Sequence, residues 1–170
     1  MTQRVTPLVQ LLSTNGDGTG STSATGDYST PDDFYIQQAG AGAYVIERLI
    51  FSIEDTNMEA TTFGALTALT TGVAIQWRDT DDASYATLTP TNIKTNADFG
   101  KLAYDLSVAS YKPAGSPTTS VLLCRFTLSK FIPGGLRLEN GDYLVATMND
   151  NHTGLDSFTI TAEGWIDDYV

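Results

Sequence analysis

From Tyr44 through Ile53 the chain alternates in steps of two, with Val45, Glu47, Leu49, Phe51 and Ile53 on one side and Tyr44, Ile46, Arg48, Ile50 and Ser52 on the other. Apolar groups on both faces, with a single charge on each, predict a strand covered from both sides. After Gly72 the same period returns in Val73, Ile75 and Trp77, then stops at Arg78-Asp79-Thr80-Asp81-Asp82, a polar turn or exposed loop. The final third carries the strongest β pattern. Val121 to Leu128 is apolar on both faces, Pro133-Gly134-Gly135 breaks it, and Asn140-Gly141-Asp142 makes a tight turn after Leu136 and Leu138. Tyr143, Val145 and Thr147 then alternate with Leu144, Ala146 and Met148, and Phe158, Ile160 and Ala162 line the last strand.

Between these stretches, Met58 to Leu69 reads as a short helix whose Phe63, Leu66 and Leu69 face a core, although Gly64 and the threonines oppose it. Ile93 to Leu106 is ambiguous between an irregular segment and a short helix, and Tyr111 to Pro117 reads as a crossing loop. At the beginning, Val5 to Leu12 is moderately apolar. All of residues 13–32 except Ala24, Tyr28 and Pro31 are Ser, Thr, Gly, Asn or Asp, which predicts a flexible loop or a partner-binding arm. The resulting expectation is an all-β antiparallel sandwich, in jelly-roll form, with one short helix. Residues 1–40 are its N-terminal arm and polar loop, packed on the domain or on a partner, and residues 41–170 its jelly-roll domain.

A length of 170 residues with 41% hydrophobic content suits one such core. The formal charge of -11 disfavours nucleic acid as a direct partner. One His and one Cys exclude an intrachain disulfide and any metal or hydrolytic centre that needs two of either residue. The start lacks a basic segment followed by a long apolar stretch, and no apolar run reaches the roughly 18 residues of a span, so neither a signal peptide nor a membrane segment is expected. Cys124, inside an apolar run, reads as a buried small hydrophobe.

Candidate chemistry is sparse. Asp79, Asp81 and Asp82 are candidate calcium ligands, although their spacing reproduces no complete calcium loop; otherwise they are solvated turn charges. Asn15 to Gly20 has the glycines of a phosphate cradle without its lysine. Asp167 and Asp168 read as solvated terminal charges, and His152 sits in a turn with no local triad pattern. Asn151-His152-Thr153 matches a glycosylation sequon, with turn formation the more physical use of Asn151. Trp77 and Trp165 are candidates for the core or a subunit interface, against an exposed carbohydrate platform. Nothing here points to an enzyme.

Gly135 to Leu144, Asn149 to Leu155 and Phe158 to Asp168 together resemble jelly-roll virion proteins of tailed bacteriophages, in particular capsid decoration or cement proteins; Tyr44 to Ile53 and Phe63 to Thr71 extend the resemblance. The resemblance implies a noncatalytic protein on the outer surface of the capsid, bound to the major capsid protein, self-associating as a homotrimer and stabilising the head. It also implies an N-terminal segment that reaches the shell or a neighbouring copy, which makes Val5, Leu8, Leu11 and Leu12 the candidate capsid contacts. Jelly rolls serve other tasks as well, so the alternative is a receptor- or glycan-binding module of a phage tail or fibre.

Overall fold

The computed structural model describes residues 3–81, 83–89, 91–102, 105–111 and 119–169. Its strands are β1 (Gln3–Leu11), β2 (Asp27–Gln37), β3 (Ala43–Thr56), β4 (Ala74–Arg78), β5 (Ser84–Thr87), β6 (Asp105–Tyr111), β7 (Thr119–Thr127), β8 (Leu136–Leu138), β9 (Tyr143–Asn151) and β10 (Ser157–Tyr169), with helix α1 (Asn96–Leu102) between β5 and β6. Among the described residues they form two antiparallel sheets. The large sheet has the order β1-β10-β3-β7-β6, with β8 beside the start of β3, and the small sheet has the order β2-β9-β4-β5. Leu49, Phe51 and Phe158 from the large sheet meet Phe34, Ile75 and Leu144 from the small one in a single core, so the protein is an antiparallel β-sandwich. The chain crosses repeatedly between the sheets, staying within one only at β4–β5 and over β6–β8, a path consistent with a jelly roll.

The strict alternation expected across Tyr44 to Ile53 is interrupted. Glu163 pairs with Arg48 while the next residue, Gly164, pairs with Ile46, so Glu47 is an extra residue bulged out of β3. The bulge swaps faces: Ile46 joins Leu49, Phe51 and Ile53 in the core, whereas Val45, on their side in a regular strand, lies on the outer face of the sheet. Gly164 makes this possible, because a Cβ there would stand 1.8 Å from the Val45 carbonyl oxygen.

The helix expected over Met58 to Leu69 is absent. Phe63 and Leu66 instead close a turn through reciprocal backbone hydrogen bonds of 3.1 and 3.0 Å, with Gly64 at a φ of 57°. Phe63 and Leu69 still reach the core, but from a loop. Buried Asn96 holds that loop: its amide donates to the carbonyls of Glu59 and Gly64 (2.7 and 2.9 Å), and its Oδ1 accepts the Gly64 N–H at 2.9 Å. The helix that forms is α1, in the stretch left ambiguous by sequence. Asp98 caps it by accepting the backbone N–H and hydroxyl of Thr95, three residues before it.

The polar stretch after β1 is a loop, as expected, only as far as residue 26. Residues 13–26 form a loop built from its own side chains. Asn15 Oδ1 accepts from the Ser13 hydroxyl and the Gly20 N–H (2.8 and 2.9 Å), and Asp17 Oδ1 accepts the Thr19 N–H at 2.8 Å. Residues 27–32 belong to β2. The first forty residues thus contribute one strand to each sheet, and Leu8, Leu12, Phe34 and Ile36 to the core.

Gly164→Ala is expected to lower unfolding stability by about 3 kcal/mol or more, since the added methyl must displace backbone in the centre of the large sheet. Denaturant titration checks this, and an unchanged midpoint would show that the bulge tolerates a side chain.

Candidate functional site

Sheet alternation decides which side chains are available on each outer face. Along β1, the Leu12 N–H donates to the Ile160 carbonyl at 2.8 Å, one step past the Leu11–Thr161 pair. Thr6, Leu8 and Gln10, in phase with Leu12, therefore aim their backbone groups at β10, whereas Val5, Pro7, Val9 and Leu11 aim theirs at the open edge. Pro7 loses no ladder bond at such a position. The side chains follow the same phase: Val5, Val9 and Leu11 are 56%, 69% and 36% exposed, while Leu8 and Leu12 are buried at 7% and 0%. Of the four residues expected to contact a shell, Leu8 and Leu12 are thus core, and Val9 belongs to the exposed strip. Trp165 lies opposite Pro7 on this outer face, half-buried next to Val45, whereas Trp77 packs on the core from β4.

The outer face of the small sheet is built differently. Asp33 and Tyr35 from β2, Tyr143 and Val145 from β9, and Gln76 and Arg78 from β4 share it. Arg78 Nη1 reaches Asp33 Oδ2 at 2.7 Å, Nη2 donates to the Thr147 hydroxyl at 3.0 Å, and Nε and Nη2 donate to Gln76 Oε1 at 3.0 and 2.8 Å. The Thr147 hydroxyl donates in turn to the other Asp33 oxygen. The Tyr35 and Tyr143 rings meet edge to face with centroids 5.4 Å apart. Asp33, Tyr35, Tyr143 and Val145 line a cleft of about 250 Å³. Behind it stands the polar loop: Ser13 exchanges backbone hydrogen bonds with Tyr35, and Gly16 approaches the Tyr35 ring so closely that a Cβ would overlap it. Burial raises the Tyr35 pKa, helped by Tyr143, Asp17 and Asp33, so the phenol keeps its proton and can donate. Sequence reading missed this cluster because its members come from three strands that only the fold brings together.

Asp79 is spent locally: its Oδ1 accepts the N–H groups of Asp81 and Ala83 at 3.0 and 2.9 Å, and Asp82 lies outside the described residues. Among the described residues no group of three or more His, Cys, Asp or Glu is placed to share a metal ion. Asp167 is not a solvated terminal charge. It is 5% exposed and paired with Arg137 at 2.9 Å, a contact that raises the arginine pKa ahead of the smaller effect of Glu139. Asn151 accepts the Thr153 N–H at 2.8 Å, making the expected turn. Buried Cys124 donates to the Phe99 carbonyl, and desolvation pushes its thiol pKa up to about 12.

His152 departs most from its expected setting. It is fully buried, with Nδ1 3.1 Å from the Ala24 carbonyl and the rings of Tyr28 and Phe63 at 5.2 and 5.3 Å. Nε2 is buried without a hydrogen-bond partner. Desolvation lowers the imidazole pKa, against weaker opposing effects from the Ala24 and Asn149 carbonyls and Asp150. The neutral ring anchors the loop to the core, so the residue is structural.

The fold and its two outer faces define an antiparallel β-sandwich with one apolar edge face and one aromatic and polar face. No family model matches the chain, and no curated protein or solved structure shows significant similarity to it.

Because the unfolded chain takes up a proton near pH 6.5 that the buried His152 ring resists, its contribution is complete above that pH and lost as pH falls toward the depressed folded value. Thermal melts between about pH 7 and 5 should therefore show a steeper loss for the wild type than for His152→Gln. Parallel profiles would remove His152 as the cause.

Proposed function

We propose that the protein is a noncatalytic structural component of a virion that attaches to the outer capsid surface and stabilises the head. The observation that carries the reading is the exposed apolar strip of Val5, Val9 and Leu11 on an open edge strand, with half-buried Trp165 beside it. It joins the resemblance of the final third of the sequence to capsid decoration proteins. Burying a Val or Leu side chain contributes about 1.5–3 kcal/mol, so this strip supplies several kcal/mol per copy when covered by the major capsid protein. The edge carbonyls and N–H groups of Val5, Val9 and Leu11, which face no strand among the described residues, add backbone hydrogen bonds to any extended segment laid beside them. Each bound copy favours the assembled shell over free shell subunits, which is how a protein with no catalytic step acts as cement. Trimerisation would multiply the weak contact of one copy. A charge of -11 per chain keeps copies apart elsewhere, and docking falls on this aliphatic strip, which Glu163 and Asp167 of β10 flank opposite Val9 and Val5.

Since β1 is a ladder strand, removing residues 1–12 would strip Leu8 and Leu12 from the core, so the docking surface is tested by point substitution. Val9→Glu isolates the surface. It should leave the melting temperature within a few degrees of wild type while weakening binding to undecorated shells about tenfold or more. Leu8→Ala, in contrast, should lose about 3 kcal/mol of stability. Shell occupancy by Val9→Glu equal to wild type would sink the docking assignment.

A further inference from the structure

We propose that the outer face of the small sheet is a second binding site, for a neutral saccharide, with one sugar ring held against Tyr35 and Tyr143. The cleft offers what a sugar needs on both counts. Its lining includes the partly exposed rings of Tyr35 and Tyr143, packed edge to face over buried Val145, and an exposed ring face suits the C–H face of a pyranose. Its rim carries the Asp33 carboxylate and two phenol groups, which suit the hydroxyls. Charge decides against an ionic ligand: the Asp33 carboxylate is neutralised by Arg78, and Arg78 is itself held by Asp33, Gln76 and Thr147, so the pair presents no net charge. At about 250 Å³ the cleft lies just below the range typical of drug-sized ligands, so it takes a single ring, at the end or along the side of a chain.

The site is also built in advance. Arg78 is fixed across three strands, and Gly16, at a φ of 75°, brings the polar loop onto the back of the Tyr35 ring. Side chains held this way lose little freedom on binding. This gives the Ser/Gly/Asn-rich segment after β1 a role that its composition did not suggest. Because the cleft is on the opposite side of the sandwich from the β1 strip, a copy docked through β1 would present it outward. The site needs no shell, and it can be tested apart from the docking reading.

The experiment is saturation-transfer NMR on the 170-residue chain with glucose, galactose, mannose, N-acetylglucosamine and their β-linked disaccharides as probes, and glucose 6-phosphate and glucuronate as charged controls. Binding of at least one neutral sugar is expected with Kd on the order of 1 mM, ahead of both charged controls. Tyr143→Ala should weaken it about tenfold or more at unchanged far-UV circular dichroism. Asp33→Asn, a second variant that keeps the side-chain shape, should weaken it as well. Absence of binding by every neutral probe, tighter binding of the phosphorylated control, or binding unaffected by both variants would overturn the assignment. None of these results depends on whether the protein binds a capsid.

Discussion

The ladder between β3 and β10 is the constraint on which the rest of the sandwich depends. These strands lie inside the large sheet, and every other strand of that sheet is placed from them: β1 on the far side of β10, β7 and β8 on the far side of β3, and β6 beyond β7. Their register decides which residues enter the core. The bulge at Glu47 moves Ile46 inward and Val45 outward, and it exists only because Gly164 leaves room for the opposing backbone. Downstream of it, Leu49, Phe51 and Ile53 meet Phe158 and Ile160 on the inner face, and the apolar burial that stabilises the fold follows.

Two polar anchors extend this ordering into segments with little apolar content. Asn96 fixes the turn around Phe63 from the start of α1, and Asp150, at the end of β9, accepts the backbone N–H groups of Thr70, Thr71 and Gly72. Each offers the loop side-chain partners where it has no strand to bond to, so buried or crowded backbone groups are not left unpaired. His152 fills a similar place with a ring, closing a cluster that includes Tyr28, Phe63 and Phe158.

With the inner faces committed to the core, function is left to the outer ones, and these differ sharply. The β1 edge of the large sheet exposes the aliphatic side chains of Val5, Val9 and Leu11 and, among the described residues, is open along its backbone, which suits an extended protein surface. The small sheet is aromatic and hydrogen-bonded across three strands, which suits a small polar ligand. A two-sided protein of this kind can be held by one face and present the other.

The sequence by itself determined the β class, the positions of β3, β4, β7, β9 and β10 and the alternation of Leu144, Ala146 and Met148 with their neighbours, because a period of two is a local property that survives any tertiary arrangement. It also showed the -11 charge and the scarcity of His and Cys. It misread Met58 to Leu69 as a helix, because Phe63, Leu66 and Leu69 have helical spacing but face the core from a turn stapled by Asn96, about thirty residues away. It took residues 13–32 for a loose excursion, because composition counts the missing apolar groups and not the backbone amides that Asn15 and Asp17 satisfy. Leu8 and Val9 look alike in sequence, and only pairing with β10 makes one of them core and the other surface. The Tyr35–Tyr143 cleft, assembled from residues about a hundred positions apart, was decided by tertiary structure alone, since no local pattern records which strands lie side by side.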